Sequence, residues 1–166
     1  LEHVWIGYGA QNLDIRGICD VTIRDSTIAH ASSHGIYANN ASPTIENSVF
    51  RENTDRGISF FGFDDVVPVA LTGNSFISNT NWAVYAALGD EVVDVTLEGN
   101  TSSGSLHNGF GIGGSIAGAV TYSASRGFPF IAGDNVTVQE GAAWTVSPGT
   151  VIKADAVWIN LFVEGS

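Results

Sequence analysis

Methionine is absent from the 166 residues, position 1 included, and the single cysteine, Cys19, leaves no partner for an intrachain disulfide. The missing methionine predicts that the chain, beginning at Leu1, is a processed or excised piece. Cations are scarce: 6 Lys plus Arg stand against 17 Asp plus Glu, for a formal net charge of −11. A chain this acidic repels phosphate backbones, which excludes nucleic acid as a partner. No apolar run approaches the roughly 20 residues of a membrane span, so membrane insertion is not expected, and no signal-peptide pattern is present. Only 14% of residues are charged while 44% are hydrophobic, so a core can form and bulk disorder is excluded. What is abundant is Gly, at 20, together with Asn, Ser and Thr. The length fits one domain.

The chain repeats itself. Adding 26 to positions 45–67 carries Phe50 onto Phe76, Asn53 onto Asn79, Thr54 onto Thr80 and Asp64 onto Asp90. A second step of 26 carries Leu71 onto Leu97, Asn74 onto Asn100 and Val84 onto Phe110. Backwards, a step of 22 carries Ile45 onto Ile23, Phe50 onto Ile28, Gly57 onto Gly35 and Ile58 onto Ile36. The four-residue difference fits in one loop between Ile58 and Leu71.

Within each repeat the apolar positions alternate, as in Val21/Ile23, Val69/Leu71 and Val95/Leu97, and period two is strand geometry. Turn formers such as Asn47-Ser48, Gly73-Asn74 and Gly99-Asn100 separate the strands. Short strands recurring every 22–26 residues predict a parallel coil of about three strands per rung, with rungs about 4.8 Å apart. Like residues then stack: Ile23, Ile45, Leu71 and Leu97 in one column; Ile36, Ile58, Val84 and Phe110 in another; Ile28, Phe50 and Phe76 in a third. Asn53 and Asn79 are expected to form an inward amide ladder. A β-sandwich also has many short strands, but gives no reason for residues 26 apart to match in type.

The segments 21–28 (VTIRDSTI), 43–50 (PTIENSVF) and 70–76 (ALTGNSF) resemble repeats of right-handed parallel β-helices of the pectate-lyase-like superfamily. The likeness covers residues 20–112 and implies an all-β, single-stranded, right-handed solenoid. It is weak for activity, because that superfamily holds lyases, hydrolases, epimerases, tailspikes and noncatalytic surface proteins. The segment 136–153 (VTVQEGAAWTVSPGTVIK) resembles the opening of a β-helix unit in large bacterial surface proteins, where a segment similar to 1–9 (LEHVWIGYG) follows it. Here that order is reversed. The expected organisation is therefore rungs over 1–112, an irregular rung or linker over 113–135, and the start of a further unit over 136–166. Leu1, Val4 and Ile6 are expected at one open end, and Ile159, Leu161 and Val163 at the other, to be covered by flanking sequence or another copy.

Candidate chemistry falls on outward positions. Asp64 and Asp65 map onto Asp90 and Glu91, so four acids from two loops form a candidate calcium site, although they lack a dedicated calcium-loop spacing. Solvated loop acids are the plainer reading, and no other cofactor is expected. Trp82 maps onto Arg56 and His34, which predicts a Trp82–Arg56 cation–π pair, and Tyr85 points outward beside it. An exposed Trp next to a Tyr suits the apolar face of a sugar ring; the plainer reading is an aromatic shielding a rung. His30 maps onto Glu52 as a stacked acid–base or merely ionic pair. Asn40, Asn100 and Asn135 begin glycosylation-like triplets, which frequent Asn-Ser/Thr turns produce by chance. The expected role is a noncatalytic structural or adhesive module of a secreted or cell-surface protein, with other copies or flanking domains as partners. The alternative is a carbohydrate-active enzyme or sugar-binding module acting on polysaccharide through Arg56, Trp82, Tyr85 and the Asp64/Asp90 region.

Overall fold

The computed structural model describes residues 1–17, 21–62, 68–89, 94–124 and 127–164. Among these there is no helix, and the chain winds as a parallel β-solenoid of about 6 turns. The first coil holds β1 (Trp5–Gly7), β2 (Leu13–Arg16) and β3 (Thr22–Arg24). The second holds β4 (Thr27–Ala29), β5 (Ile36–Asn39) and β6 (Thr44–Glu46). The third holds β7 (Val49–Arg51), β8 (Arg56–Phe61) and β9 (Val69–Thr72). The fourth holds β10 (Ser75–Ile77), β11 (Trp82–Leu88) and β12 (Val95–Glu98). The fifth holds β13 (Thr101–Ser103), β14 (His107–Ile116) and β15 (Ala119–Ala124). Then follow β16 (Phe130–Val138), β17 (Ala143–Val146), β18 (Ile152–Ala154) and β19 (Leu161–Val163).

Successive coils contribute one strand to each of three parallel sheets. The first sheet runs β1-β4-β7-β10-β13, the second β2-β5-β8-β11-β14-β16-β18 with β19 also on β16, and the third β3-β6-β9-β12-β15-β17. The expected columns are the observed registers. Ile23 pairs with Ile45, Ile45 with Leu71 and Leu71 with Leu97. Ile36 pairs with Ile58, Ile58 with Val84 and Val84 with Phe110. Step 22 holds through Ile58 and step 26 from Leu71, so the extra residues fall between β8 and β9.

All of these side chains are buried, and the Phe50 and Phe76 rings stack with centroids 5.1 Å apart. Ser102 continues that column opposite Phe76, and being small it lets the Phe128 ring close on Phe76 at 5.4 Å. Phe60 lies between Ala38 and Ala86 in register, so small neighbours above and below make room for its ring. Each such ring contributes about 1.5–3 kcal/mol by burial.

The corners are built from left-handed residues stacked coil upon coil. After the third-sheet strands come Asp25, Asn47, Gly73 and Gly99, with φ of 50, 49, 67 and 64°, and His3, next to the Glu2–Arg24 bridge, matches them with φ of 53°. After the first-sheet strands come Tyr8, His30, Glu52, Ser78 and Gly104, with φ of 65, 56, 56, 52 and 73°. Glycine adopts this conformation without steric penalty, whereas other residues are held there by the surrounding structure.

Two inward amide ladders stitch the corners. Asn53 Nδ2 donates to Asn79 Oδ1 at 2.8 Å, Ala31 N donates to Asn53 Oδ1 at 3.0 Å, and Asn79 Nδ2 donates to Phe50 O at 3.0 Å. In the second ladder Ser26 N donates to Ser48 Oγ, Ser48 N to Asn74 Oδ1, and Asn74 N to Asn100 Oδ1. Asn100 is thus buried and its amide donates to Leu71 O at 2.6 Å, which removes its glycosylation-like triplet from consideration.

The stretch 113–135 carries the end of β14, all of β15 and the start of β16, paired parallel with a register shift between Ile112 and Gly114. The end residues lie where expected: Ile6 in β1 has β4 on one side, and Leu161 and Val163 in β19 pair with β16. The last coil is apolar and open to solvent, with Val157 89% and Trp158 84% exposed.

Candidate functional site

The proposed calcium ligands Asp64, Asp65, Asp90 and Glu91 lie outside the described residues. Among the described residues, Glu2, His3 and Asp25 bring ligand atoms within 4.8 Å of one another at an exposed corner. Three donors, one of them an imidazole, fall short of the six to eight oxygens that calcium takes.

Arg56, Trp82 and Tyr85 do come together, on the outer face of the second sheet. Trp82 is in register with Arg56, and Tyr85 with Ser59. The expected Trp82–Arg56 cation–π pair is replaced by another: the Arg56 guanidinium stands 4.6 Å from the centre of the Tyr85 ring, and its Nη1 donates to Ser59 Oγ at 2.9 Å. The cause lies in the coils above. A Cβ on Gly111 would stand 2.5 Å from Trp82 Cζ3, and one on Gly133 would stand 2.7 Å from Cη2, so the indole lies flat over two glycines. It also stacks on His107 at 3.9 Å, and is 6% exposed instead of open to solvent. Trp82 shields the sheet, and Tyr85 is left half-buried between it and Arg56.

Around this trio stand groups that sequence reasoning did not join. Asp55 Oδ2 lies 3.4 Å from His34 Nδ1 and 3.7 Å from Arg56 Nε. Burial pushes the His34 imidazole below its ordinary pKa; Asp55 opposes that shift and Arg56 adds to it. Burial likewise pushes the Tyr85 phenol up, with Arg56 opposing and Asp134 adding. His107 Nδ1 meets Asp155 Oδ1 at 2.8 Å, tying β14 to the segment after β18. The arrangement supplies the Asp55 and Asp155 carboxylates, the His34 and His107 imidazoles and the Arg56 guanidinium around the Trp82–Tyr85 rings. The His34–Arg56–Trp82 alignment was legible from the repeat; Asp55, next to Arg56, was the missed signal.

A second cluster occupies the outer face of the first sheet. Trp5 and Tyr8 have ring centroids 5.6 Å apart, and Tyr8 stacks on His30 at 5.0 Å with 9° between planes. His30 Nδ1 meets Glu52 Oε2 at 3.1 Å, the pairing expected from the repeat, and Arg51 Nη1 donates to Glu52 Oε1 at 2.9 Å. Trp5 and Tyr8 were not singled out from the sequence, although adding 22 to Tyr8 reaches His30 and adding 22 again reaches Glu52.

Compared with family models, curated proteins and solved structures, the chain matches none. Fold and geometry therefore define its class: a parallel β-solenoid.

Proposed function

We propose that the chain is a noncatalytic structural module, a stiff β-helical segment that extends by receiving a further coil on its last one. The supporting observation is the apolar, solvent-facing last coil. Val157, Trp158, Leu161, Phe162 and Val163 are exposed together, beside a hollow of about 160 Å³ lined by Ala132, Val136, Trp144, Ile152, Ile159 and Leu161. Exposed apolar groups on a solenoid end call for another rung, as the interior rungs of the same chain have. Two hydrogen-bonded side-chain ladders and stacked aromatics make the rod stiff. Its place, by resemblance of its repeats, is a secreted or cell-surface protein with a structural or adhesive role.

For this chain alone the covering coil is a second copy, stacked head to tail, a heterologous contact that can propagate. Sedimentation across a wide dilution series tests it. The expected result is mass rising with concentration, abolished by Leu161→Lys; a strictly monomeric species at the highest concentration overturns end-on assembly.

A further inference from the structure

The corner position after the first-sheet strands is Gly104 in one coil and Ser78 in another, yet it is Tyr8, His30 and Glu52 in the first three. A bulky residue with φ of 65° costs on the order of 1 kcal/mol, and since every corner of this column is left-handed, what sets the first three coils apart is the size and polarity of the side chains held there. Here the strained corner lines up a ring, a ring and a carboxylate. Trp5, 51% exposed, folds its indole over Gly7, where a Cβ would come within 2.5 Å of Cη2. Tyr8, 76% exposed, stands beside it. The result is a two-faceted aromatic platform, with 51° between the Trp5 and Tyr8 planes, bordered by the His30–Glu52–Arg51 chain of polar contacts.

We propose that this platform binds a neutral oligosaccharide, with sugar rings laid on Trp5 and Tyr8 and hydroxyls hydrogen-bonded by Glu52, Arg51 and His30. A pyranose carries an apolar C–H face and a polar rim, and this surface has the same division into rings and hydrogen-bonding edge. The three coils span two strand spacings, about 10 Å, the length of a disaccharide unit. Glu52 is already balanced by Arg51, and the chain's net charge of −11 disfavours uronates, so the sugar is neutral. Trp5 and Tyr8 stand on the first coil, the one that head-to-tail stacking would meet, so sugar binding is read at a dilution where the chain sediments as a monomer.

The test titrates the ¹⁵N-labelled chain with cellohexaose, xylohexaose, mannohexaose and, as the anionic comparison, an oligogalacturonate. The Trp5 indole signal is assigned by its loss in Trp5→Phe. At least one neutral sugar is expected to move that signal. Tyr8→Gly, which relieves the left-handed corner and so keeps a cooperative melt, is expected to weaken binding at least about tenfold, as 1.4 kcal/mol of lost contact would. The proposal is overturned if no neutral sugar moves the signal, if only the oligogalacturonate does, or if Tyr8→Gly binds as tightly as the parent. A Trp5 signal that responds to protein dilution and to no sugar would instead mark a protein contact and overturn it too.

Discussion

Asn53 and Asn79 stand one coil apart, and the Nδ2 of the first donates to the Oδ1 of the second at 2.8 Å inside the solenoid. The same Oδ1 accepts from Asn53 N, and Asn79 Nδ2 donates to Phe50 O, so one side chain satisfies three groups of the preceding coil. Both residues are fully buried, where an orphaned polar group is costly.

Asn79→Ala is therefore expected to destabilise the fold by about 2–4 kcal/mol, leaving Asn53 N and Phe50 O without that partner. Urea denaturation measures it. Loss of under about 1 kcal/mol would mean the ladder is ornamental.

Phe76 touches a ring on each side, Phe50 at 5.1 Å and Phe128 at 5.4 Å. Phe76→Ala should cost about 3–5 kcal/mol, and the neighbouring exposed Ile77→Ser no more than about 0.5 kcal/mol. Comparable losses at both positions would contradict the inward–outward assignment of β10.

The stacked corners predict opposite signs for opposite substitutions. Ser78→Gly should raise stability by about 0.5–1 kcal/mol, because glycine relieves its φ of 52°. Gly73→Ala should lower it by about 1–2 kcal/mol, since the new Cβ is strained at φ of 67° and meets Asn47 Oδ1. Thermal melts of the two variants read both.

His34 gives stability a pH dependence. Burial holds its folded pKa below the ordinary value, with Asp55 opposing and Arg56 reinforcing, so between the two pKa values the unfolded chain binds more protons. Its contribution is full above the ordinary histidine range near about 6.5 and is lost as pH falls through the depressed folded pKa. Urea midpoints should decline more steeply on acidification in the parent than in His34→Gln. Identical slopes would remove His34 as the cause.

The fold was legible because stacking forces residues one coil apart into the same environment, which is why Phe50 and Phe76, or Asn53 and Asn79, match in type. The second ladder was half legible: Asn74 and Asn100 align, but each follows a glycine and reads as a turn former, while Ser26 and Ser48 hide the column's earlier members. Alternation gave the direction of Tyr85 and the repeat placed Trp82 beside it, but neither gave the cover of the indole, because Gly111 and Gly133, which receive it, belong to later coils. The His107–Asp155 pair escaped for another reason. Trp82 pairs with His107, Phe110 with Phe130, and Val136 with Leu161, so the step is no longer constant there.

The stacked coil itself is tested most directly by contacts between Phe50 and Phe76, 26 residues apart in sequence and adjacent in the solenoid. Nuclear Overhauser spectra of the chain with labelled phenylalanine rings should give a strong ring–ring cross-peak between these two residues. Its absence, with Phe50 and Phe76 each contacting different partners, would contradict the account.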